Sequence, residues 1–173
     1  MAIRDTLRDD LSEIFRIQRD ELVRPHQYKL RPEDSIEVWA DRLQNGQVGD
    51  STFKCSTIWY GSQIVGHVTH VHFGSEGSRV VQCGWNLDPR FWGRGIMTES
   101  LRKLFDRFFL EDGIQHVVAD CFRENVRCKR VLDKLGFVPN GVPFHHRVLL
   151  AWHYRCLHWI ERFRLDADRW SRK

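Results

Sequence analysis

Residues 80–98 read Val-Val-Gln-Cys-Gly-Trp-Asn-Leu-Asp-Pro-Arg-Phe-Trp-Gly-Arg-Gly-Ile-Met-Thr. A strand-like run ends at Leu87 and Pro89 closes it. A turn carrying Arg90, Gly93, Arg94 and Gly95 then leads into apolar residues at helical spacing. The first turn of a helix leaves backbone N–H groups unpaired, and the helix dipole favours an anion there. Glycine lets a phosphate approach the backbone closely, and the two arginines add charge. The parts are those of a phosphate-binding turn. It is not a Walker loop, because no Gly-x-x-x-x-Gly-Lys-Ser/Thr is present. It fits a Rossmann turn poorly: Thr98 stands where a third Gly or Ala belongs, and the strand before it reads as part of an antiparallel meander.

The other residues able to do chemistry are scattered. His70 and His72 share one strand face, as two metal ligands could, but no third ligand stands at motif spacing. None of the five cysteines (Cys55, Cys83, Cys121, Cys128, Cys156) forms a Cys-x-x-Cys pair, so no metal site is assigned. Arg123, Arg127, Arg130 and Lys134 form a basic stripe on one helix, either a solvated face or one turned to a polyanionic ligand. A nucleic-acid partner would want interleaved aromatics and a larger charge excess than 27 basic against 23 acidic residues.

The elements that must position these residues follow from periodicity. Asp10-x-x-Glu13 and Asp34-x-x-Glu37 resemble capping boxes, predicting a helix from residue 10 to Val23 and a second ending at Asn45-Gly46. Residues 52–59, 64–73 and 80–87 read as three strands of an antiparallel meander. The helix after Gly95, a strand over 115–121 and a helix over 125–135 follow, and then extended chain. Residues 145–159 favour a hairpin. A strand–helix–strand crossover beside a meander gives a mixed, mostly antiparallel sheet with helices on both faces, an α+β fold of α/β/α layers. No linker or repeat interrupts residues 1–173, which read as a single domain.

Arg90-Phe-Trp-Gly-Arg-Gly95 resembles the Gln/Arg-x-x-Gly-x-Gly/Ala signature of the GNAT N-acetyltransferase superfamily. The continuation Ile96-Met97-Thr98-Glu99, and the later Asn125-Val-Arg-Cys-Lys-Arg-Val-Leu-Asp-Lys-Leu-Gly-Phe137, are similar to the branch that acetylates ribosomal-protein N-termini. The resemblance implies acetyl-CoA as co-substrate, without a metal, and acetyl transfer to a primary amine by direct attack on the thioester. The branch points to a protein N-terminal α-amine as acceptor. A small-molecule amine (polyamine or antibiotic) is the alternative, and a non-catalytic acetyl-CoA sensor is a further one. It places the pantetheine arm along Trp85, Asn86 and Leu87 and the pyrophosphate in Arg90 and Trp92, Gly93, Arg94, Gly95, Ile96, Met97 and Thr98. Asn125 falls near the pantetheine or acetyl group, and Lys129 and Arg130 near the nucleotide. The thioester would lie in a cleft between strands 80–87 and 115–121.

Two positions differ from the branch. Gln82 stands where a glutamate base is usual, and an amide cannot take a proton at neutral pH. His70 or His72 is then a candidate base. Cys128 stands where the branch has a serine proposed as the acid, and a thiol can protonate a leaving thiolate.

With 42% apolar and 29% charged residues the chain can bury a core, and no run approaches the roughly 20 apolar residues of a membrane helix. The odd cysteine set suits a reducing, cytoplasmic setting. The tail Arg162–Lys173 suggests a trailing helix or a homodimer contact. The charge is unevenly spread: residues 1–89 hold 10 basic and 13 acidic residues, whereas 90–173 hold 17 and 10. That division suggests an anionic co-substrate on the later half and a cationic amine drawn to the earlier one.

Overall fold

The computed structural model describes residues 1–26, 35–48, 51–73, 79–141 and 160–171. The chain runs β1 (Ala2–Asp5), α1 (Leu11–Arg19), α2 (Ile36–Asn45), β2 (Gln47–Val48), β3 (Ser51–Tyr60), β4 (Gln63–His72), β5 (Val80–Leu87) and α3 (Ile96–Asp106). It continues through β6 (His116–Phe122), α4 (Val126–Leu135), β7 (Val138–Pro139) and β8 (Ile160–Asp166) to a terminal helical turn, Ala167–Trp170. Among the described residues the strands form one sheet in the order β1-β3-β4-β5-β6-β8-β7, with β2 also paired to β3. Every pairing is antiparallel except β5 with β6, the two ends of the crossover through α3.

Alternation along the central strands divides the side chains between two helical layers. Val68, Val81, Cys83 and Val117 pack with Leu101, Phe105 and Phe108 of the α3 region and Leu132 of α4. On the opposite face Leu11, Ile14, Phe15 and Trp39 of α1 and α2 pack with Phe53 and Cys55 of β3. In β4, His70 stacks its ring against Phe108 on the α3 side, whereas His67 meets Trp39 on the α1/α2 side. Gly66 sits where β4 crosses β5 so closely that a Cβ would lie 2.5 Å from the Asn86 carbonyl oxygen.

Three elements differ from the sequence reading. The first helix ends at Arg19, not Val23, because Asp20 leaves the helical region (ψ 134°) and its carboxylate accepts the Leu22 N–H at 2.9 Å, opening a new turn. Asp10 does not cap α1. Its carboxylate accepts the Leu7 N–H and the Thr57 hydroxyl and pairs with Arg4. The cap of α2 is Ser35, whose Oγ accepts the Val38 N–H at 3.3 Å, while Asp34 lies outside the described residues. The tail is no trailing helix over most of its length. Ile160–Asp166 enters the sheet between β6 and β7, with Leu165 fully buried. The hairpin expected over 145–159, and Cys156 with it, also lies outside the described residues. No described helix is long and apolar enough to cross a membrane.

Candidate active site

The parallel pair β5/β6 comes apart partway along. Its register runs from Val80–His116 to Cys83–Ala119 and stops, although β5 continues to Leu87 and β6 to Phe122. On its other edge β5 stays paired with β4 as far as Gly66–Leu87. The edge of Gly84–Leu87 toward β6 therefore opens onto a cavity of about 760 Å³, lined also by Cys121, Asn125 and Cys128 at one side and by the turn before α3 at the other.

In that turn Gly93 and Gly95 both lie at φ +76°, in the left-handed region that a side chain would strain. Nothing lies within 4 Å of a Cβ built on either, so backbone conformation, not crowding, calls for glycine. The first intrahelical bond of α3 runs from the Glu99 N–H to the Gly95 carbonyl at 3.0 Å. The N–H groups of Ile96, Met97 and Thr98 precede it, and all three residues line the cavity. The Trp92 indole N–H is tied to the Leu87 carbonyl at 2.7 Å, joining the turn to the end of β5.

Arg90 does not line the cavity. Its guanidinium folds back on the buried Asp88 at 2.7 Å, and Arg16 of α1 binds the same carboxylate. The Arg90 hydrogen bonds, with those of Arg16, hold the Asp88 carboxyl well below the usual carboxylate range. Arg90 and Asp88 thus fasten the turn to α1. Arg94 rests over the Phe91 ring, and Lys129 pairs with Glu161 at 2.7 Å; neither lines the cavity. The cations that do are Arg42 of α2 and, along one face of α4, Arg127, Arg130 and Lys134. Arg127 lies over the Trp92 ring at 4.6 Å, across from the glycine turn. Arg127 and Lys134 belong to the basic stripe legible in the sequence; what the sequence lacked was which wall that stripe faces.

Gln82 turns toward β6, where its amide donates to Asp120 Oδ2 at 3.1 Å. Asp120 also accepts both Nε (2.7 Å) and Nη2 (2.8 Å) of Arg162. Asp120 is the single carboxylate among the described residues lining the cavity. The sequence reading missed it because its signal is only an acid in an apolar strand beside the crossover. Asn125 does two things at once: it lines the cavity, and its side-chain oxygen caps α4 by accepting the Cys128 N–H at 3.0 Å. Contact with the Cys121 thiol, and burial, push the Cys128 thiol up, so it stays protonated at neutral pH.

His70 and His72 are not brought to this site. His70 lies under α3, bonded to Ser56 at 3.4 Å and to His72 at 3.3 Å, and burial pushes it down to about 3. Neither ring lines the cavity. Of the two described histidines that do, His26 and His67, the second is pushed down to about 4 by complete burial and hence neutral. Nor is this end of the cavity acidic: its polar described lining is Gln18, His26, Trp39, Arg42, His67 and Thr69. Among the described residues no group of three or more His, Cys, Asp or Glu side chains could hold a metal ion, and Cys55, Cys83, Cys121 and Cys128 are free thiols.

A strand pair that opens beside a two-glycine turn at a helix start defines a recognisable class. Residues 1–138 match the model of the acetyltransferase (GNAT) domain family, and the chain belongs to that family. It is 26% identical over 103 residues to the uncharacterised N-acetyltransferase YnaD of Bacillus subtilis, a match spanning 59% of either chain. Its fold is similar to a ribosomal-protein-S5-alanine acetyltransferase from Vibrio fischeri (TM-score 0.72, 20% identity, 97% of this chain and 93% of that one). It is equally similar to a spermidine N-acetyltransferase from Vibrio cholerae crystallised with CoA and spermine (TM-score 0.74, 13% identity, 98% and 97%).

Proposed function

We propose that the protein transfers the acetyl group of acetyl-CoA to a primary amine, and that the acceptor is the α-amine of a protein or peptide N-terminus. The observation that carries this reading is the opening of β5 from β6 beyond Cys83–Ala119, continuous with the Gly93–Gly95 turn in one cavity. The turn's N–H groups and Arg127, Arg130 and Lys134 would bind the phosphates, and the edge Trp85–Leu87 the pantetheine amides. A neutral amine attacks the thioester carbonyl, its proton passing to Asp120 directly or through one water, since an aliphatic amine is mostly protonated at pH 7. A backbone N–H at the β5 edge holds the oxyanion. As the C–S bond breaks, the thiolate takes the Cys128 proton. Asp120 returns its proton to solvent and Cys128 takes one back, and the products are the acetylated amine and free CoA.

The test is CoA release from acetyl-CoA with peptides bearing free N-termini, beside polyamines and aminoglycosides. Thermal stabilisation by CoA without turnover of any amine would mean a sensor instead. The absence of any CoA effect would overturn the reading altogether. The small-molecule alternative rests on the fold's equal likeness to a spermidine enzyme.

A further inference from the structure

Resting on the acetyltransferase reading, the geometry points to an acceptor that carries an oxygen next to its amine. We infer that the N–H groups of His67 and Trp39 recognise that oxygen, the first carbonyl of a peptide N-terminus.

Both rings line the same end of the cavity and face each other edge to face, centroids 6.1 Å apart. His67 is 1% exposed and Trp39 6%. Neither Trp39 Nε1 nor His67 Nδ1 has a hydrogen-bond partner. An indole nitrogen is a donor only, so Trp39 offers an unsatisfied N–H. The tautomer of His67 follows from its neighbours. Its Nε2 meets the amide nitrogens of Gln18 at 3.1 Å and Asn86 at 3.5 Å; with both amides assigned in this orientation Nε2 accepts and the proton sits on Nδ1. Burial keeps the ring neutral at physiological pH.

Two buried donors without acceptors, on one wall of a substrate cavity, ask for a ligand oxygen, because native proteins pair nearly all such groups. A polyamine has none to give. It would set ammonium groups against two N–H donors, and the described lining offers a single carboxylate, already bound by Arg162. In a peptide N-terminus the first carbonyl carbon lies two bonds from the amine nitrogen, beside the reacting atom. A site whose donors need that oxygen discriminates against the analogue lacking it.

The experiment uses the full chain with acetyl-CoA and compares kcat/KM for alaninamide and for isopropylamine, which lacks the carbonyl, with spermidine as a third acceptor. The quantity read is the ratio of the first two, and how Trp39→Phe and His67→Phe change it, since the two amines differ in basicity. Each variant removes an N–H while keeping an aromatic ring, and thermal melting confirms folding. The expected result is an alaninamide preference that falls about tenfold in each variant, with spermidine a poor acceptor. Unchanged ratios in folded variants, or spermidine used as well as alaninamide, overturn this inference and leave the acetyltransferase reading standing. No transfer to any amine overturns both.

Discussion

Asp120 reaches from β6 to accept the Gln82 amide of β5 at 3.1 Å, so the carboxylate missing from one strand is supplied by its neighbour. Gln82 becomes a positioning residue for Asp120, with Arg162 gripping the same group from the other side. Replacing Asp120 by Asn removes the proposed proton acceptor and is expected to lower kcat about 10²-fold or more, the usual scale of general-base catalysis. Gln82→Ala should cost less, about tenfold in kcat. Asp120→Asn also leaves the buried Arg162 without its carboxylate, so melting curves must accompany the kinetics. An Asp120→Asn enzyme that folds and keeps wild-type kcat and pH dependence would remove Asp120 from the mechanism.

The two groups of cations should separate experimentally. Arg127 lies over Trp92 on the cavity wall, whereas Arg90 is spent on Asp88. Arg127→Ala is expected to raise KM for acetyl-CoA about three- to tenfold, and more at low ionic strength, where screening is weak. Arg90→Ala should leave a smaller, salt-independent effect on KM and a lower melting temperature, because it loosens the turn from α1. Steady-state KM at two salt concentrations, with melting curves for both variants, makes the comparison. Equal salt-dependent losses would show that both face the co-substrate.

The sequence disclosed the turn, the two motif segments and the order of strands, because each rests on local signals: paired glycines, helix caps and period-two alternation. It placed Arg90 and Lys129 in the site by motif, yet their charges are consumed by Asp88 and Glu161, partners 2 and 32 residues away that no motif encodes. It looked for a base in β4 on the strand face that turns away from the cavity. His67 and His70 differ by three positions, so the pleat sends them to opposite layers, and which layer holds the cavity depends on how the sheet is covered. Asp120, likewise, matters only through side chains on β5 and β8. Its contacts with Gln82 and Arg162 are tertiary.

Gly66 tests how the sheet sets the edge of β5. A Cβ there would stand 2.5 Å from the Asn86 carbonyl oxygen and 3.0 Å from the Leu87 side chain. Neither the backbone oxygen nor the paired strand can yield cheaply, so Gly66→Ala should destabilise by about 1–3 kcal/mol, the cost of overpacking. It should also displace Asn86–Leu87 and raise KM for acetyl-CoA. Gly93→Ala makes a useful contrast. It meets no atom within 4 Å but must hold φ +76°, so its penalty is conformational and local to the turn. Denaturant titration of both variants with acetyl-CoA KM checks the pair, and a Gly66→Ala protein as stable as wild type would contradict the close approach of β4 and β5.

The buried histidines set an acid limit to stability that is separate from catalysis. Burial pushes His67 down to about 4 and His70 to about 3, against 6.5 for an exposed imidazole. Below pH 6.5 the unfolded chain binds protons that the folded protein refuses, so stability rises with pH in this window and is lost on acidification from 6.5 toward 3. Each histidine contributes a slope of up to about 1.4 kcal/mol per pH unit. Asp88, held low by Arg90 and Arg16, adds its own loss only below the ordinary aspartate range near 3.8. His70→Gln keeps an amide for Ser56 and cannot titrate, so between pH 6 and 4 its unfolding free energy should fall less steeply than that of the wild type, with His67 and the similarly lowered His72 supplying the remaining slope. Chemical denaturation across that range provides the measurement. Parallel slopes would mean that His70 takes up its proton in the folded state and is not sealed beneath Phe108.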